Sequence, residues 1–190
     1  MMGFPHANMH PAGGNEVAVV SHVGGGVARE EDTFGTFHGG GMLSYAHDFG
    51  RMAISVAGGA FFNVESINYH FHTEFARPVS ASPVDVLFGV GYSGTYEMNI
   101  PQLSFGVLRG APLTSGGHFG GFRISTGPIF DPTPSGELIA FSGSLGYQWW
   151  AKRVAGFSLQ AAPYLCVHAS RETTVSVGAM IMLSLTFGER

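Results

Sequence analysis

Charge is what this sequence has least of. Asp, Glu, Lys and Arg make up only 12 % of its 190 residues, about half the share of an ordinary soluble domain. A protein bathed in water on every side needs a charged skin. Much of this chain's surface is therefore buried in a large interior or turned toward something other than water. Lysine is nearly absent, Lys152 standing alone beside eight arginines. The basic residues form no run or stripe, and that excludes nucleic acid as a partner held by a basic face. Cysteine occurs once, as Cys166, so no disulfide closes within the chain. No segment approaches 18 consecutive apolar residues, so no transmembrane helix is encoded. The first fifteen residues, MMGFPHANMHPAGGN, contain Pro and Gly but no apolar h-region and do not read as a secretory signal.

What is present is apolar, aromatic and glycine-rich: 45 % hydrophobic residues, 13 % aromatics and 29 glycines. Glycine spread this evenly argues against helices, and the hydrophobic period is two. Ile67, Tyr69, Phe71, Thr73 and Phe75 alternate with Asn68, His70, His72, Glu74 and Ala76. Val84–Tyr96 alternates in the same way, with Leu87 as its exception. So do Glu137–Trp149, Ala155–His168 and Val175–Phe187. In each segment the bulky face opposes one of Gly, Ala and Ser with a few ionisable groups. That second face is too uncharged to be a solvent face, whereas a narrow barrel needs small residues pointing inward. A soluble β-sandwich would place charge there instead.

Turn residues cluster at Glu30–Thr33, His47–Gly50, Asn63–Ser66, Pro78–Pro83, Met98–Pro101, Arg109–Gly116, Asp131–Gly136, Ala151–Arg153 and Ala169–Glu172. These punctuate the chain into ten strands of roughly 9–14 residues, enough for a tilted strand to cross a bilayer. The expected fold is an all-β, up-and-down antiparallel transmembrane barrel over residues 15–187. A flexible arm (1–14) precedes it and a tail (188–190) follows. The weakest strand is Gln102–Leu108, bracketed by Pro101 and Pro112; as a loop it would reduce the count to eight.

In this architecture the chain resembles the small outer-membrane β-barrels of Gram-negative bacteria. The resemblance extends from Asn15 to Phe187 and rests on no motif. It implies an outer-membrane location, contact with lipid and a last strand that carries an insertion signal. Leu183, Leu185 and Phe187 fit that signal, with Gly188, Glu189 and Arg190 following them. Tyr147, Trp149 and Trp150 are candidates for the aromatic girdle at the membrane interface, with Tyr45, Phe49, Tyr69, Tyr92, Tyr96 and Tyr164 as further ones.

The sharpest local feature is His70-Xaa-His72-Xaa-Glu74. Positions two apart on a strand face the same way, with Cα atoms about 6.5–7 Å apart. The three side chains are expected to form a polar plug in the lumen. The competing reading is a divalent metal on two imidazoles, with a further ligand from Glu74, Asp85, His118 or His168. A cupin-like site is a poor match, because Glu74 follows His72 too closely and bracketing glycines are missing. His22 and His38 also fall on small-residue faces. Arg123 is a candidate for a lumenal ion pair with Glu74, Asp85 or Glu97. Ser170, two residues after His168, lies in no nucleophile elbow. Gly24–Gly26 and Gly39–Gly41 precede no Lys-Ser/Thr, so they are not phosphate loops.

The function expected from these features is structural or anchoring, in an outer-membrane barrel serving as a subunit of a larger assembly and having no cofactor. The alternatives are a narrow solute pore and a metal-dependent or lipid-modifying enzyme.

Overall fold

The computed structural model describes residues 14–29, 33–63, 66–78, 84–95, 98–110, 116–131, 133–151, 155–169 and 173–188. They form ten strands and, among the described residues, no helix. The strands are β1 (Gly14–Arg29), β2 (Thr33–Asp48), β3 (Ala53–Asn63), β4 (Ile67–Pro78), β5 (Val84–Gly94), β6 (Asn99–Arg109), β7 (Gly116–Asp131), β8 (Thr133–Ala151), β9 (Ala155–Ala169) and β10 (Thr173–Gly188). Each pairs antiparallel with its sequence neighbour, and β1 pairs with β10 from Glu16↔Gly188 to Arg29↔Val175. The sheet therefore closes as an up-and-down barrel and leaves no edge strand.

Ten strands form, not eight. The segment around Gln102 is a full strand, and it starts earlier than its prolines suggest. Pro101 lies inside β6, opposite Tyr92 of β5. The preceding turn closes instead through Thr95 N–H to the Met98 carbonyl (2.8 Å) and Met98 N–H to Thr95 Oγ1 (3.0 Å). Similarly, β8 begins at Thr133, where Pro134 and Gly136 had suggested a turn. The connection after β2 falls at 49–52, later than its sequence signal. Gly50 adopts φ +83° there and donates its N–H to Asp48 Oδ1 (2.6 Å), a backbone conformation that favours glycine.

Side chains alternate strictly between two environments. One set faces out: Val17, Val19, Val23, Leu43, Phe71, Phe88, Leu103, Phe105, Ile124, Leu159, Ile181 and Leu185 are all exposed. Among the described residues, Asp, Glu, Lys and Arg appear on this outer face only toward strand ends, as Arg29, Arg77, Arg109 and Glu137. The other set points inward and is buried. The shortest strands have 11 residues. At about 3.3 Å per residue and a tilt of about 40°, they climb roughly 28 Å, close to the height of a bilayer's hydrocarbon core.

The inward set is bulkier than its share of Gly, Ala and Ser suggests. Its large members lie over glycines on the paired strand. Gly40 faces Phe61, Gly59 faces Met42, Gly146 faces Phe119 and Gly178 faces Tyr164. A Cβ on any of these glycines would collide with its partner. Glycine thus makes the room in which one large side chain per rung fills the lumen.

Candidate functional site in the barrel lumen

The even-numbered residues of β4 put Asn68, His70, His72 and Glu74 on the inner face, all buried. Arg123 sits three strands away on β7. Its parity, shared with Phe119, Gly121, Ser125 and Gly127, also turns it inward, and its guanidinium donates to the Glu74 carboxylate. His72 Nε2 lies 3.6 Å from the same carboxylate oxygen. The His70 and His72 rings stack with centroids 5.9 Å apart and planes 16° from parallel. Gly91 is paired with His72 and Gly89 with Glu74. A Cβ at Gly89 would come within 2.6 Å of the His72 ring, so two glycines seat this imidazole.

A second group of rings adjoins the first. His22 of β1 and His38 of β2 have centroids 6.1 Å apart. His38 Nε2 is 3.3 Å from Tyr164 Oη on β9. Tyr164, grouped by sequence with the interface aromatics, faces the lumen, as its parity with Ser158, Gln160 and Ala162 dictates. Further inner hydrogen bonds join Gln102 Nε2 to Ser93 Oγ (2.7 Å) and Ser158 Oγ to Ser184 Oγ (2.6 Å).

Other residues singled out by sequence lie apart from this cluster. Asp85 is buried and lumenal. It stands four positions along β5 from Gly89, the partner of Glu74, or about 13 Å at strand rise. Glu97 and Tyr96 lie outside the described residues. His118 faces outward, its ring 4.8 Å from Tyr147. Among the described residues no three His, Cys, Asp or Glu side chains are grouped to hold a metal ion. The Glu74 carboxylate is engaged by Arg123.

Tyr147 and Trp149 point outward with centroids 4.5 Å apart, and Trp149 continues to Phe157 at 5.6 Å. Trp150 has the opposite parity and turns inward over Gly156. Adjacent residues on a strand cannot both join an outer girdle. Near the other end of the wall Tyr69 and Tyr92 stack at 6.0 Å, and the Tyr69 hydroxyl donates to Asn99 Oδ1 (2.5 Å). Leu183, Leu185 and Phe187 are exposed on the outer face of β10.

No family model matches the sequence, and no curated protein matches it. Solved structures similar to it are bacterial outer-membrane β-barrels. One is outer-membrane expressed OmpT of Vibrio cholerae, at 8 % identity and a TM-score of 0.39, covering 80 % of this chain and 60 % of that one. The chain thus spans about three fifths of OmpT's length. Neisserial surface protein A is similar at 9 % identity and a TM-score of 0.38, with 92 % and 99 % covered. OprG from Pseudomonas aeruginosa is similar at 12 % identity and a TM-score of 0.41, with 94 % and 97 % covered. The closed, all-antiparallel architecture of this chain is established by its own strand pairing.

Proposed function

We propose that this chain is an outer-membrane β-barrel with a structural or anchoring role, a subunit of a larger membrane assembly. The supporting observation is the combination of an apolar outer wall with a filled lumen. Valine, leucine, isoleucine and phenylalanine cover the outside, in an arrangement stable in lipid and poorly soluble in water. Inside, Ala18, Ser93, Ser158, Ala162 and Met182 have no exposure at all. All ten strands contribute buried side chains to that filling. The longest connection between strands is the six residues 110–115. Barrels that capture extracellular ligands carry longer loops. Among the described residues, what this chain offers to other molecules is its wall and its two rims.

Two measurements test the proposal. Heat-modifiable gel migration and fractionation with the outer membrane are expected, and full solubility without detergent would overturn the membrane reading. Purified protein in planar bilayers is expected to give no stepwise conductance. Steady channels would replace the structural role with the solute-pore alternative.

A further inference from the structure

The two rims of the barrel differ in the charge they carry on the outer face. Every even-numbered strand ends at the rim where β1 begins, with Glu16 of β1 opposite Gly188 of β10. Among the described residues, the outward strand positions at this rim carry Arg77 and Arg109 and no carboxylate. Tyr147 and Trp149 project from β8 near the same rim, the residue types that settle where a bilayer meets water. A cation on a wall that faces lipid needs a counter-charge. The protein supplies none at Arg109, which no described carboxylate pairs with.

A groove of about 360 Å³ lies beside that arginine, lined by Arg109, Gly110, His118, Phe119, Gly120 and Leu145. Its volume is within the range of small-ligand sites. The strand register accounts for it. Arg109, Gly120 and Leu145 stand side by side on β6, β7 and β8. Glycine in the middle leaves a gap between a long cation and a leucine that is 67 % exposed. A Cβ at Gly120 would lie 3.2 Å from the Ser144 carbonyl oxygen and 3.7 Å from Leu145 Cδ1, so a larger side chain there would occupy the gap. His118 is two residues from Gly120 on the same face, diagonal to Arg109 at about 7–8 Å between backbones. Its ring stands edge-on to Tyr147, at 81° and 4.8 Å, and that contact orients it. Toward the middle of the barrel the next outward pair is Val107 and Phe122, both exposed. The groove is therefore cationic toward the rim and apolar toward the middle of the wall.

We propose that the Arg109/His118 groove binds the phosphate headgroup of a membrane phospholipid, whose acyl chains run over Leu145, Val107 and Phe122. The proposal rests on the membrane reading above. The occupant follows from the two halves of the site. A guanidinium donates paired N–H bonds to phosphate oxygens, and the His118 imidazole adds a further donor. A soluble anion would satisfy those donors and leave the apolar half uncovered, whereas an anionic amphiphile matches both. A second groove on this rim lacks that chemistry. It measures about 300 Å³ between Asn15, Tyr45, His47, Phe49, Ile54 and Val56 and contains no cation. Its polar groups bond to each other: the Tyr45 hydroxyl donates to Asn15 Oδ1 (2.5 Å), and His47 Nδ1 lies 2.8 Å from the same oxygen.

Native mass spectrometry of the folded protein in detergent tests this, with phosphatidylglycerol added in one arm and a diacylglycerol of the same chains in the other. One phosphatidylglycerol is expected to be retained, and the diacylglycerol roughly tenfold more weakly, because it lacks the charge-assisted bonds. Retention should fall about tenfold in Arg109→Gln and also drop in His118→Ala and in Gly120→Val, which fills the gap. It should be unchanged in Arg77→Gln, a cation of the same rim outside the groove. Arg77, Arg109 and His118 are exposed, so their variants keep the fold, and heat-modifiable migration verifies each one. Equal retention of the two lipids would overturn the headgroup site. So would retention undiminished in Arg109→Gln, or an equal loss in Arg77→Gln. Displacement of the lipid by millimolar inorganic phosphate would give the groove to a soluble anion and overturn the lipid as its occupant. Insertion of the same protein into vesicles is measured alongside. A barrel that inserts without selective retention would overturn the site alone, and a protein that does not insert would overturn the membrane reading.

Discussion

At the scale of single residues, the lumen is held by polar groups whose value lies in their pairing. Glu74 and Arg123 are both almost fully buried, and desolvating two charges offsets most of what their attraction returns. Breaking such a pair from one side is costly, whereas removing both partners is not. Arg123→Met strips Glu74 of its guanidinium and is expected to destabilise the barrel by about 3–5 kcal/mol, while Glu74→Leu/Arg123→Leu should stay within ~1 kcal/mol of the parent. Urea unfolding in lipid vesicles measures both, and a harmless Arg123→Met would refute the buried-pair account. Gly89 gives a steric counterpart. The atoms that its Cβ would meet belong to the His72 and Ser104 side chains. Gly89→Ala is expected to cost about 1–3 kcal/mol by overpacking, and measurably less in a His72→Ala background, where part of the obstruction is gone. Equal costs in the two backgrounds would mean that the imidazole does not occupy that space.

At the scale of strands, alternation assigns each side chain to a face, and Phe105 at the middle of β6 tests the assignment. It is 56 % exposed. In lipid, Phe105→Arg should cost about 2–4 kcal/mol; on a water-facing wall it would fall within about ±0.5 kcal/mol. Unfolding titrations in vesicles decide between them. Much of this level was legible in the sequence. The face shared by His70, His72 and Glu74 follows from parity, as do the outward Leu183, Leu185 and Phe187, whereas Arg123 shares its parity with Phe119 as well as with Gly121, Ser125 and Gly127, which leaves its facing ambiguous until β7 is placed in the barrel. What misled was proline. Pro101 and Pro134 read as turn residues because a strand interior normally rejects them, yet this barrel includes both within strands. Residue type groups Trp150 and Tyr164 with the girdle, although their parity points inward. The meeting of Glu74 with Arg123 was one of several possible pairings, because partners three strands apart are set by barrel closure and not by spacing along the chain.

At the scale of the whole molecule, ten strands enclose more space than the eight that side chains fill easily. This barrel closes its larger lumen with pairs of one large residue over one glycine, repeated around the wall, and with two apolar clusters. One contains Met42, Phe61, Met180 and Met182, and the other Ile100, Ile129 and Leu138. Such a filling is distributed, so no single side chain is the stopper. Arg123→Ser removes the longest polar side chain from the lumen but leaves both apolar clusters in place. It should therefore remain silent in planar-bilayer recordings even where unfolding shows it destabilised. Trimming Met42, Phe61 and Met182 to alanine together with Arg123→Ser removes filling from the polar layer and from one apolar cluster, and is the combination expected to admit ions. A steady channel from Arg123→Ser alone would locate the barrier in one ion pair. The chain would then be a gated pore with a single latch, not a barrel filled along its length.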